Sequence, residues 1–490
     1  MEQGRDAIIE ALRLADQQIQ AGERGVDLLC RRADCLAFLG RKDPARQQYL
    51  EALTQQPDHF ATLINFGTLL YETEFRTAAR RVFEQAVAVH PHQAVAHVNL
   101  ANVLMYADEP ELARRHCEIA LQLEPNNIHA HQRLSNLYQE AGAMEAMRRH
   151  YRLGFAEAPP RFSPCLGEGA PTVMLLLTST PGADVTWRKI VDRQSFSVLD
   201  LTAEFFDPQA PLPLHDLIFN AIGDADLAPE ALVAAQALVG RSHAPLINDP
   251  AKVILTGRME TASRLGAAPC VTAPRIVRLP RQALMGEDAT AILAEHGFHD
   301  YPVLLRSPGF HTGRHFAKLD TPADVNAAAA ELPGEEVLVI QYLDATGPDG
   351  YARKYRVMMI GGELYPLHLA VSRSWKVHYF TGAMSGDAVF QAEEARFLED
   401  MPGALGPSAM AALQAIQTRL GLDYGGVDFA LGADGNLLLF EANAVMTIVP
   451  PDDSPQWDYR RPAIARAMAA AKAMLIAKSR LASAQSGIVE

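Results

Sequence analysis

A period of 34 residues in the first third of the chain restricts its fold more than any other feature of the sequence. Four prolines repeat at this interval, and small and large residues keep the same register before each of them. The four sets are Pro57, Pro91, Pro125 and Pro159; Ala52, Ala86, Ala120 and Gly154; Tyr49, Phe83, Cys117 and Tyr151; and Ala45, Ala79, Ala113 and Met147. This pattern indicates one helical hairpin per repeat. A single hairpin cannot bury its apolar face alone, so the repeats must stack.

The repeats resemble the tetratricopeptide repeat. The family signature is matched at Leu63, Gly67, Leu70, Ala79, Phe83, Ala86 and Pro91. The resemblance implies an all-α solenoid, and we assign residues 1–160 to it as the first domain.

The resemblance also implies a concave groove built from the first helix of each repeat. Polar side chains suited to holding a peptide backbone fall on these helices: Asn65, Asn99, Asn102, His129, Gln132, Asn136 and Gln139. We therefore expect the groove to bind a peptide or protein. The alternative is a role that is purely structural or dimerising, the second of which would give a homodimer.

The sequence changes character after the repeats. The segment "APPRFSPCLGEGAP" is rich in proline and glycine and indicates a linker near residues 160–170. The runs "TVMLLLTST" and "DLIFNAIGD" then predict buried strands, and "ALVAAQALVG" predicts a helix. Residues 171–275 are accordingly predicted to form an open α/β domain. Residues 276–480 are predicted to be α+β, because Gly361-Gly362 and Asp434-Gly435 each join two apolar runs in a hairpin pattern.

The last hairpin carries the most informative polar residues. Asp428 lies on one predicted strand, and Glu441 and Asn443 lie two residues apart on its partner, which places that pair on one face. Two carboxylates and an amide oxygen suit Mg²⁺, which completes its octahedron with phosphate oxygens and water. A plain exposed hairpin face is the alternative interpretation.

The D-x12-E-x-N spacing of these residues resembles the metal-binding signature of the ATP-grasp superfamily, in particular the glutathione-synthetase-like and ribosomal-protein-modifying ligases. Other segments follow in the family order: "NDPAKVILTGRMETASRLGAAPCVTAP", "YPVLLRSPG", "VLVIQYLD" and "KYRVMMIGGELYP". The resemblance implies a pre-ATP-grasp α/β domain over 171–275 and an ATP-grasp domain over 276–480.

The resemblance also implies roles for individual residues. ATP and Mg²⁺ would be the cofactors, with the metal held by Asp428, Glu441 and Asn443. Gln341, Tyr342 and Leu343 would line adenine, and Asp344 would accept the ribose hydroxyls. Arg356 would face the acyl phosphate; the alternative is an ordinary surface ion pair.

The phosphate-binding positions depart from the family pattern. Arg258 and Arg306 stand where lysines are usual, which keeps the charge but changes its geometry. The loop "SPGFHTGRHFAK" stands where a glycine-rich flap is usual, and its His311 and Lys318 would contact phosphates in place of backbone amides. A plain surface loop is the alternative.

Two further segments complete the predictions. The segment "LAVSRSWKVHYFTGAM" is predicted to run as a strand, with Arg373 and Lys376 holding the substrate's carboxylate or phosphate. The acidic segment "QAEEARFLEDMPG" is predicted to be solvated surface.

Composition excludes several classes of partner. The 490 residues carry 44 basic and 58 acidic side chains, a formal net charge of -14, which argues against nucleic acid. No apolar stretch approaches the length of a membrane span. The five cysteines form no C-x-x-C pair, so we expect reduced thiols and a cytoplasmic protein.

Together these features predict an ATP-dependent carboxylate-amine ligase. It would form an amide through an acyl phosphate, and the repeats would recruit a peptide or protein substrate. Two alternatives stay open: an ATP-grasp enzyme that uses another nucleophile, and a scaffold that binds nucleotide without turnover.

Overall fold

The computed structural model describes residues 2–155, 160–166, 170–180, 182–310, 313–377, 384, 386–451 and 454–486. It contains two compact units, described separately below. The first comprises Met1–Ala170 and Arg193–Val198, and the second comprises Pro171–Asp192 and Leu199–Glu490. Within the described residues, no helix combines the length and the hydropathy needed to cross a membrane.

The first unit is an all-helical, tetratricopeptide-like array. Its described helices are α1 (Glu2–Gln20), α2 (Val26–Phe38), α3 (Lys42–Gln55), α4 (Phe60–Glu72), α5 (Arg76–Val89), α6 (Ala94–Tyr106), α7 (Pro110–Leu123), α8 (Ile128–Glu140) and α9 (Met144–Phe155), followed by the short strand β1 (Arg161–Ser163). The helices pack in successive pairs, from α2 with α3 to α8 with α9. Local sequence sets their starts. Pro110 occupies the first turn of α7, and Asn127 caps α8 by accepting the Ala130 N–H at 3.0 Å.

The 34-residue pattern is confirmed as the pattern of burial. The described alanines of the repeat positions are buried, as are the large residues that accompany them: Ala45, Ala52, Ala79, Ala86, Ala113, Ala120, Tyr49, Phe83 and Cys117. Gly67 on α4 lies so close to the Phe83 ring that a Cβ atom there would overlap it. The repeat positions are therefore helix contacts. Pro159, the last proline of the series, lies outside the described residues.

The second unit begins with a sheet that contains parallel strands. Its strands are β2 (Thr172–Leu177), β3 (Ser197–Thr202, of which this unit includes the part from Leu199), β4 (Leu217–Asn220) and β5 (Leu246–Ile247), in the order β3-β2-β4-β5. β4 pairs in parallel with both β2 and β5. β2 is a continuous apolar run because it is buried on both faces. Its fully buried residues are Val173, Met174, Leu175 and Leu176. The helices of this region are α10 (Pro229–Val239), α11 (Pro250–Val253) and α12 (Arg258–Gly266).

A four-stranded antiparallel sheet follows in the order β7-β10-β8-β9. Its strands are β7 (Ile276–Pro280), β8 (Val303–Arg306), β9 (Phe316–Leu319) and β10 (Glu336–Gln341). The helices α13 (Ala289–Glu295) and α14 (Val325–Glu331) share an apolar core with it.

The third sheet has the order β12-β11-β13-β14-β6, and only its short edge strand β6 (Val271–Thr272) runs parallel to its neighbour. The other strands are β11 (Ala352–Ile360), β12 (Glu363–Ser372), β13 (Tyr424–Leu431) and β14 (Leu437–Asn443). Helices α15 (Ala388–Glu399) and α16 (Met401–Leu420) pack against it, and α17 (Arg461–Ser486) follows. One apolar core joins this sheet to the sheet of β2 and β4.

Both hairpins predicted from glycine turns are present. Gly361 and Gly362, with φ of 59° and 92°, join β11 to β12, and Gly435, with φ of 78°, lies in the turn between β13 and β14. Positive φ favours glycine at these positions. The register places Asp428 opposite Glu441 on β14. The hairpin therefore brings the two carboxylates onto adjacent strands.

Two local predictions were wrong. β12 ends at Ser372, and residues 373–376 form a bend instead of continuing the strand. The Ser372 hydroxyl accepts the Ser374 N–H at 3.0 Å, a bond that competes with a strand ladder. The acidic segment expected at the surface forms α15, whose Glu394 is fully buried and paired with Arg460 at 2.6 Å.

Candidate functional site

A cavity of about 540 Å³ lies within the second unit. Residues from both antiparallel sheets and from the loop after β2 line it. Its described lining includes five cationic side chains, Arg258, Arg306, Lys354, Arg356 and Lys376, and three carboxyl groups, Asp184, Asp428 and Glu441. Asn443 and His368 are also in the wall. Most of the residues predicted to form the site therefore meet in one cavity.

Asp428 is the most strongly paired carboxylate of the cavity. The register places it opposite Arg356 on β11, whose guanidinium donates to both its oxygens, at 2.6 Å and 2.8 Å. Lys354 Nζ adds a bond of 3.0 Å to Oδ2. Burial alone raises the pKa of Asp428, but the two cations outweigh it and hold that pKa well below its usual range. Asp428 is consequently ionised and fixes the orientation of Arg356.

Glu441 forms a second charged cluster on β14. Its Oε1 accepts from Arg258 Nη2 at 2.7 Å and from Asn443 Nδ2 at 3.0 Å. Burial opposes its ionisation, yet Arg258 and Arg306 lower the pKa of Glu441 overall. Burial, with Arg258 close by, also lowers the pKa of Arg306 to about 10. Two guanidinium groups thus face the cavity beside this carboxylate.

Part of the cavity lining, called the apolar wall below, is hydrophobic. Leu304, Ile340, Phe316 and Trp375 lie together in one hydrophobic cluster, with the Phe316 and Trp375 rings edge to face at 5.1 Å between centroids. Gln341, the last residue of β10, and Tyr342 and Leu343, which follow it, also line the cavity. The wall can therefore receive a flat apolar group next to the cationic clusters.

Two other predicted residues, Lys318 and Asp344, have contacts outside the described lining of the cavity. Lys318 Nζ lies 4.9 Å from the centroid of the Tyr342 ring and pairs with Asp320 at 2.8 Å. Asp344 accepts the Thr346 N–H at 2.9 Å. Neither Lys318 nor Asp344 belongs to the described lining of the cavity.

Of the two residues predicted to hold the substrate, Arg373 and Lys376, only one lines the cavity. Arg373 donates to the Tyr351 hydroxyl at 2.8 Å and is not among the described lining residues, whereas Lys376 is. Lys376 packs so closely against Gly313 that a Cβ atom there would lie 2.5 Å from Cε. His311 lies outside the described residues, so the prediction for it stays a prediction.

Sequence reasoning missed three ionisable residues that line the cavity. Lys354 precedes Arg356 by two positions on β11, and this spacing on a strand could have identified it as a neighbour on the same face. His368 lies opposite Arg356 on β12; burial and that arginine hold the pKa of His368 well below its usual range. Burial raises the pKa of Asp184 well above its usual range. Neither Asp184 nor His368 carried a sequence signal, because tertiary packing brings both to the cavity.

The cavity has an excess of positive charge. Five cationic side chains face three described carboxyl groups, and the raised pKa of Asp184 favours its neutral form. Such a surface attracts a polyanion more strongly than a bare metal ion.

Comparisons with known proteins concern only part of the chain. No protein-family model and no curated protein matches the sequence. Similar solved structures include MamA from Desulfovibrio magneticus RS-1, at 24% identity over 30% of this chain and 83% of that chain, with a TM-score of 0.28. Another is the pilF protein of Pseudomonas aeruginosa, at 20% identity over 31% of this chain and 77% of that chain, with a TM-score of 0.26. Scores this low carry no argument about function.

Proposed function

We propose that the second unit is an ATP-dependent carboxylate-amine ligase of the ATP-grasp type. The observation that carries the proposal is the combination, in one cavity, of cationic clusters with an apolar wall. A nucleoside triphosphate has the matching chemistry, with a polyanionic chain at one end and a flat base at the other. The two antiparallel sheets that contribute to the cavity support the ATP-grasp resemblance.

The residues present fit a magnesium ion. Asp428, Glu441 and Asn443 offer carboxylate and amide oxygens, which are the ligands Mg²⁺ prefers. When bound, the ion would neutralise negative charge on the phosphates. Because the surrounding surface is cationic, we expect the metal to bind together with the nucleotide and only weakly by itself.

Different residues of the cavity would bind the adenine base and the phosphates of the nucleotide. Gln341, Tyr342 and Leu343 would contact adenine beside the apolar wall. Arg258 and Arg306 would bind phosphate oxygens, and the planar guanidinium suits this because it can donate two parallel hydrogen bonds.

The proposed reaction has two steps. A substrate carboxylate oxygen attacks the γ-phosphorus of ATP, the bond to ADP breaks, and an acyl phosphate forms. An amine then attacks the acyl carbon, and phosphate leaves. Arg356, held in place by Asp428, would stabilise negative charge on the acyl phosphate and on the tetrahedral centre, and Lys376 would hold a substrate carboxylate.

The helical array would recruit a peptide or protein that carries one reactant. Two predicted groove residues also hold the array together: Asn65 Nδ2 donates to Asp34 at 2.9 Å, and Gln132 Nε2 donates to the Gly154 carbonyl at 2.8 Å. The side-chain NH₂ groups of these two residues already donate hydrogen bonds within the array. We therefore expect the other groove amides to contribute more to peptide binding.

One observation favours a second candidate, a nucleotide-binding scaffold without turnover. Arginines stand at both positions where the resemblance leads us to expect lysines on the phosphates, and both guanidiniums already have partners: Arg258 donates to Glu441, and Arg306 donates to the Phe310 carbonyl at 2.5 Å. Such an arrangement could bind phosphates without aligning them for transfer.

ADP release by the full-length protein distinguishes the two candidates. Candidate acids and amines, including peptides, are added in pairs with Mg²⁺ and ATP to the wild type and to Glu441→Gln. The matched control is Glu363→Gln, at an exposed position on β12 outside the cavity. The ligase predicts ADP release that requires both acid and amine, disappears in Glu441→Gln and persists in Glu363→Gln. ATP binding with equal background ADP in all three proteins would support the scaffold.

A further inference from the structure

One carboxyl group of the cavity differs from the other two in its partners. Asp428 and Glu441 are each paired with cationic side chains. Asp184, in the loop after β2, has no ion pair among the described residues. Its Oδ1 accepts the Thr178 N–H at 3.0 Å, and within the described part of the chain no donor contacts its Oδ2. Asp184 therefore keeps an acceptor oxygen for a ligand.

The loop that carries this carboxyl group contacts a second loop of the cavity, the one after β14. Thr186 Oγ1 and Thr447 Oγ1 lie 3.2 Å apart. Gly223 connects the same loops: its N–H donates to the Ala183 carbonyl at 2.8 Å, and a Cβ atom on it would lie 2.8 Å from Val445 N. The two loops contribute these residues to the described lining: Gly182, Asp184, Thr186, Val445, Met446, Thr447 and Val449.

The two loops add one carboxyl group and no cation to the described lining. The five cationic side chains of the cavity belong to other elements, namely α12, β8, β11 and the bend after β12. The surface of the two loops therefore suits a cationic group with an uncharged, partly apolar substituent. A carboxylate bound there would lose its hydration without gaining a cation from either loop.

The second loop begins at a proposed metal ligand. Asn443 ends β14, and its Oδ1 accepts the Val445 N–H at 3.2 Å. The two loops therefore adjoin the place proposed for the nucleotide phosphates, where the acyl phosphate would form. Of the two proposed reactants, the amine is the one that carries a positive charge.

We propose that the two loops bind the attacking amine and that Asp184 Oδ2 takes a proton that this amine must lose. The inference rests on the proposed ligase function. It also defines the substrate class as a primary amine whose neighbouring groups are uncharged, such as the amino terminus of a peptide. A free α-amino acid is excluded, because its carboxylate lies beside the amine.

The proton transfer is needed because amino groups are largely protonated at neutral pH. Burial, together with the nearby Glu204 and Asp200, raises the pKa of Asp184 against the opposing hydrogen bond from Thr178, which makes its carboxylate a stronger base. One proton passes from the ammonium to Oδ2. The nitrogen lone pair then attacks the acyl carbon, a C–N bond forms, and the C–O bond to phosphate breaks. The second proton lost by the nitrogen leaves with the phosphate.

Binding of three probes tests the proposal without turnover. The full-length protein is saturated with Mg²⁺ and a non-hydrolysable ATP analogue, and nucleotide binding is measured first. The probes are leucinamide, leucine, which has a carboxylate in place of the amide, and 4-methylpentanamide, which lacks the amine. In isothermal titration calorimetry we expect leucinamide to bind at least about tenfold more tightly than either of the others.

Two variants assign this preference to the carboxyl group. Asp184→Asn keeps an oxygen for the Thr178 N–H but cannot take a proton, and it should weaken leucinamide binding about tenfold. Asp207→Asn is the matched control. Asp207 is exposed outside the cavity, and its Oδ1 accepts the Gln209 N–H at 2.8 Å in the same way. This control should bind leucinamide like the wild type.

ADP release separates proton transfer from binding. With a carboxylic acid that supports turnover and saturating leucinamide, Asp184→Asn should release ADP about 100-fold more slowly than the wild type. Hydroxylamine is already unprotonated at neutral pH, so its reaction should be slowed much less.

Each other outcome contradicts a specific statement. Failure of leucinamide to bind the nucleotide complex of the wild type, or equal binding of leucinamide and either other probe, would overturn the inference, and this result needs no variant to fold. Equal leucinamide binding by Asp184→Asn and the wild type would also overturn it. Equal slowing with leucinamide and hydroxylamine would overturn the proton transfer. Absence of bound nucleotide in the wild type would instead overturn the proposed function on which the inference rests.

Discussion

Mild acid should weaken the last repeat of the helical array. His131 on α8 and His150 on α9 face each other with 2.8 Å between their Nδ1 atoms, and His131 Nε2 lies 3.0 Å from the Pro125 carbonyl oxygen. A carbonyl can only accept, so the neutral His131 carries its proton on Nε2 and accepts on Nδ1 from His150. The arrangement therefore tolerates at most one additional proton, because two would place N–H groups against each other.

The same arrangement occurs one repeat earlier. His97 and His116 have their Nδ1 atoms 3.0 Å apart, and His97 Nε2 lies 3.0 Å from the Pro91 carbonyl oxygen. One further repeat back, the equivalent positions are Leu63 and Val82, which belong to one apolar cluster. The chain thus contains its own apolar replacement for a histidine pair.

The pKa of His150 gives the sign and size of the effect. Burial, together with His131 and Arg149, lowers this pKa from 6.5 to about 4, against the opposing charge of Glu118, and the Tyr138 ring stacks on the imidazole. A lowered folded-state pKa means that the neutral form stabilises the fold. The contribution is complete above about pH 6.5 and is lost as the pH falls towards 4. Between pH 7 and 5 the linkage relation gives roughly 2 kcal/mol, and solvent screening of this partly exposed ring reduces it to about 1 kcal/mol.

Hydrogen exchange with mass spectrometry measures this loss locally in the full-length protein. Protection factors, corrected for the intrinsic pH dependence of exchange, are compared between peptides of α8–α9 and peptides of α4–α5. We expect protection in α8–α9 to fall about fivefold more between pH 7 and 5, which corresponds to about 1 kcal/mol.

The double substitution His131→Leu and His150→Val copies the apolar repeat and should abolish that difference. Protection at pH 7 should remain within about threefold of the wild type, since apolar residues already fill these positions in the earlier repeat. An equal fall of protection in the wild type and the double variant would refute the reasoning, because the histidine pair would then play no part in acid sensitivity.

Two further predictions concern packing in each unit. Arg460→Met leaves Glu394 buried without its cation and should destabilise the second unit by about 3 kcal/mol, whereas Arg461→Met at the surface should cost under about 1 kcal/mol. Urea unfolding followed by tryptophan fluorescence reports on this unit alone, because all three tryptophans lie in it; equal losses would contradict the burial argument. In Gly67→Ala the added Cβ atom should overlap the Phe83 ring. We expect the free energy of opening of α4–α5, measured by hydrogen exchange, to fall by about 1 to 2 kcal/mol. This loss should shrink when Phe83→Leu is present, and an unchanged loss would place the strain elsewhere.

Much of the fold could be predicted because its determinants are local. The repeat positions of the array are buried with the period seen in the sequence, and β2 and β4 are the continuous apolar runs expected of buried parallel strands. The failure at α15 has a long-range cause. Glu394 resembles a surface residue until Arg460, 66 residues later in the chain, pairs with it in the interior.

Spacing alone could predict the site only as far as one hairpin extends, and the other predicted residues of the cavity, such as Arg258, Arg306 and Arg356, came from the family resemblance. The turn at Gly435 fixes how Asp428 faces Glu441, so these two residues were accessible from spacing alone. The pairing of β11 with β13 joins segments about 70 residues apart, and this long-range contact gives Asp428 its two cations. Local pattern cannot reveal such a partner, which is why Lys354 was missed although its strand was recognised.

The central claim is that the cavity of the second unit binds a magnesium nucleotide. The most direct measurement is a crystal structure of the full-length protein with Mn²⁺ and a non-hydrolysable ATP analogue, with the metal located by its anomalous scattering. The account predicts anomalous metal density in contact with Asp428, Glu441 and Asn443, phosphates beside Arg258 and the base against Tyr342. Nucleotide bound outside this cavity, or an empty cavity at saturating nucleotide, would contradict it.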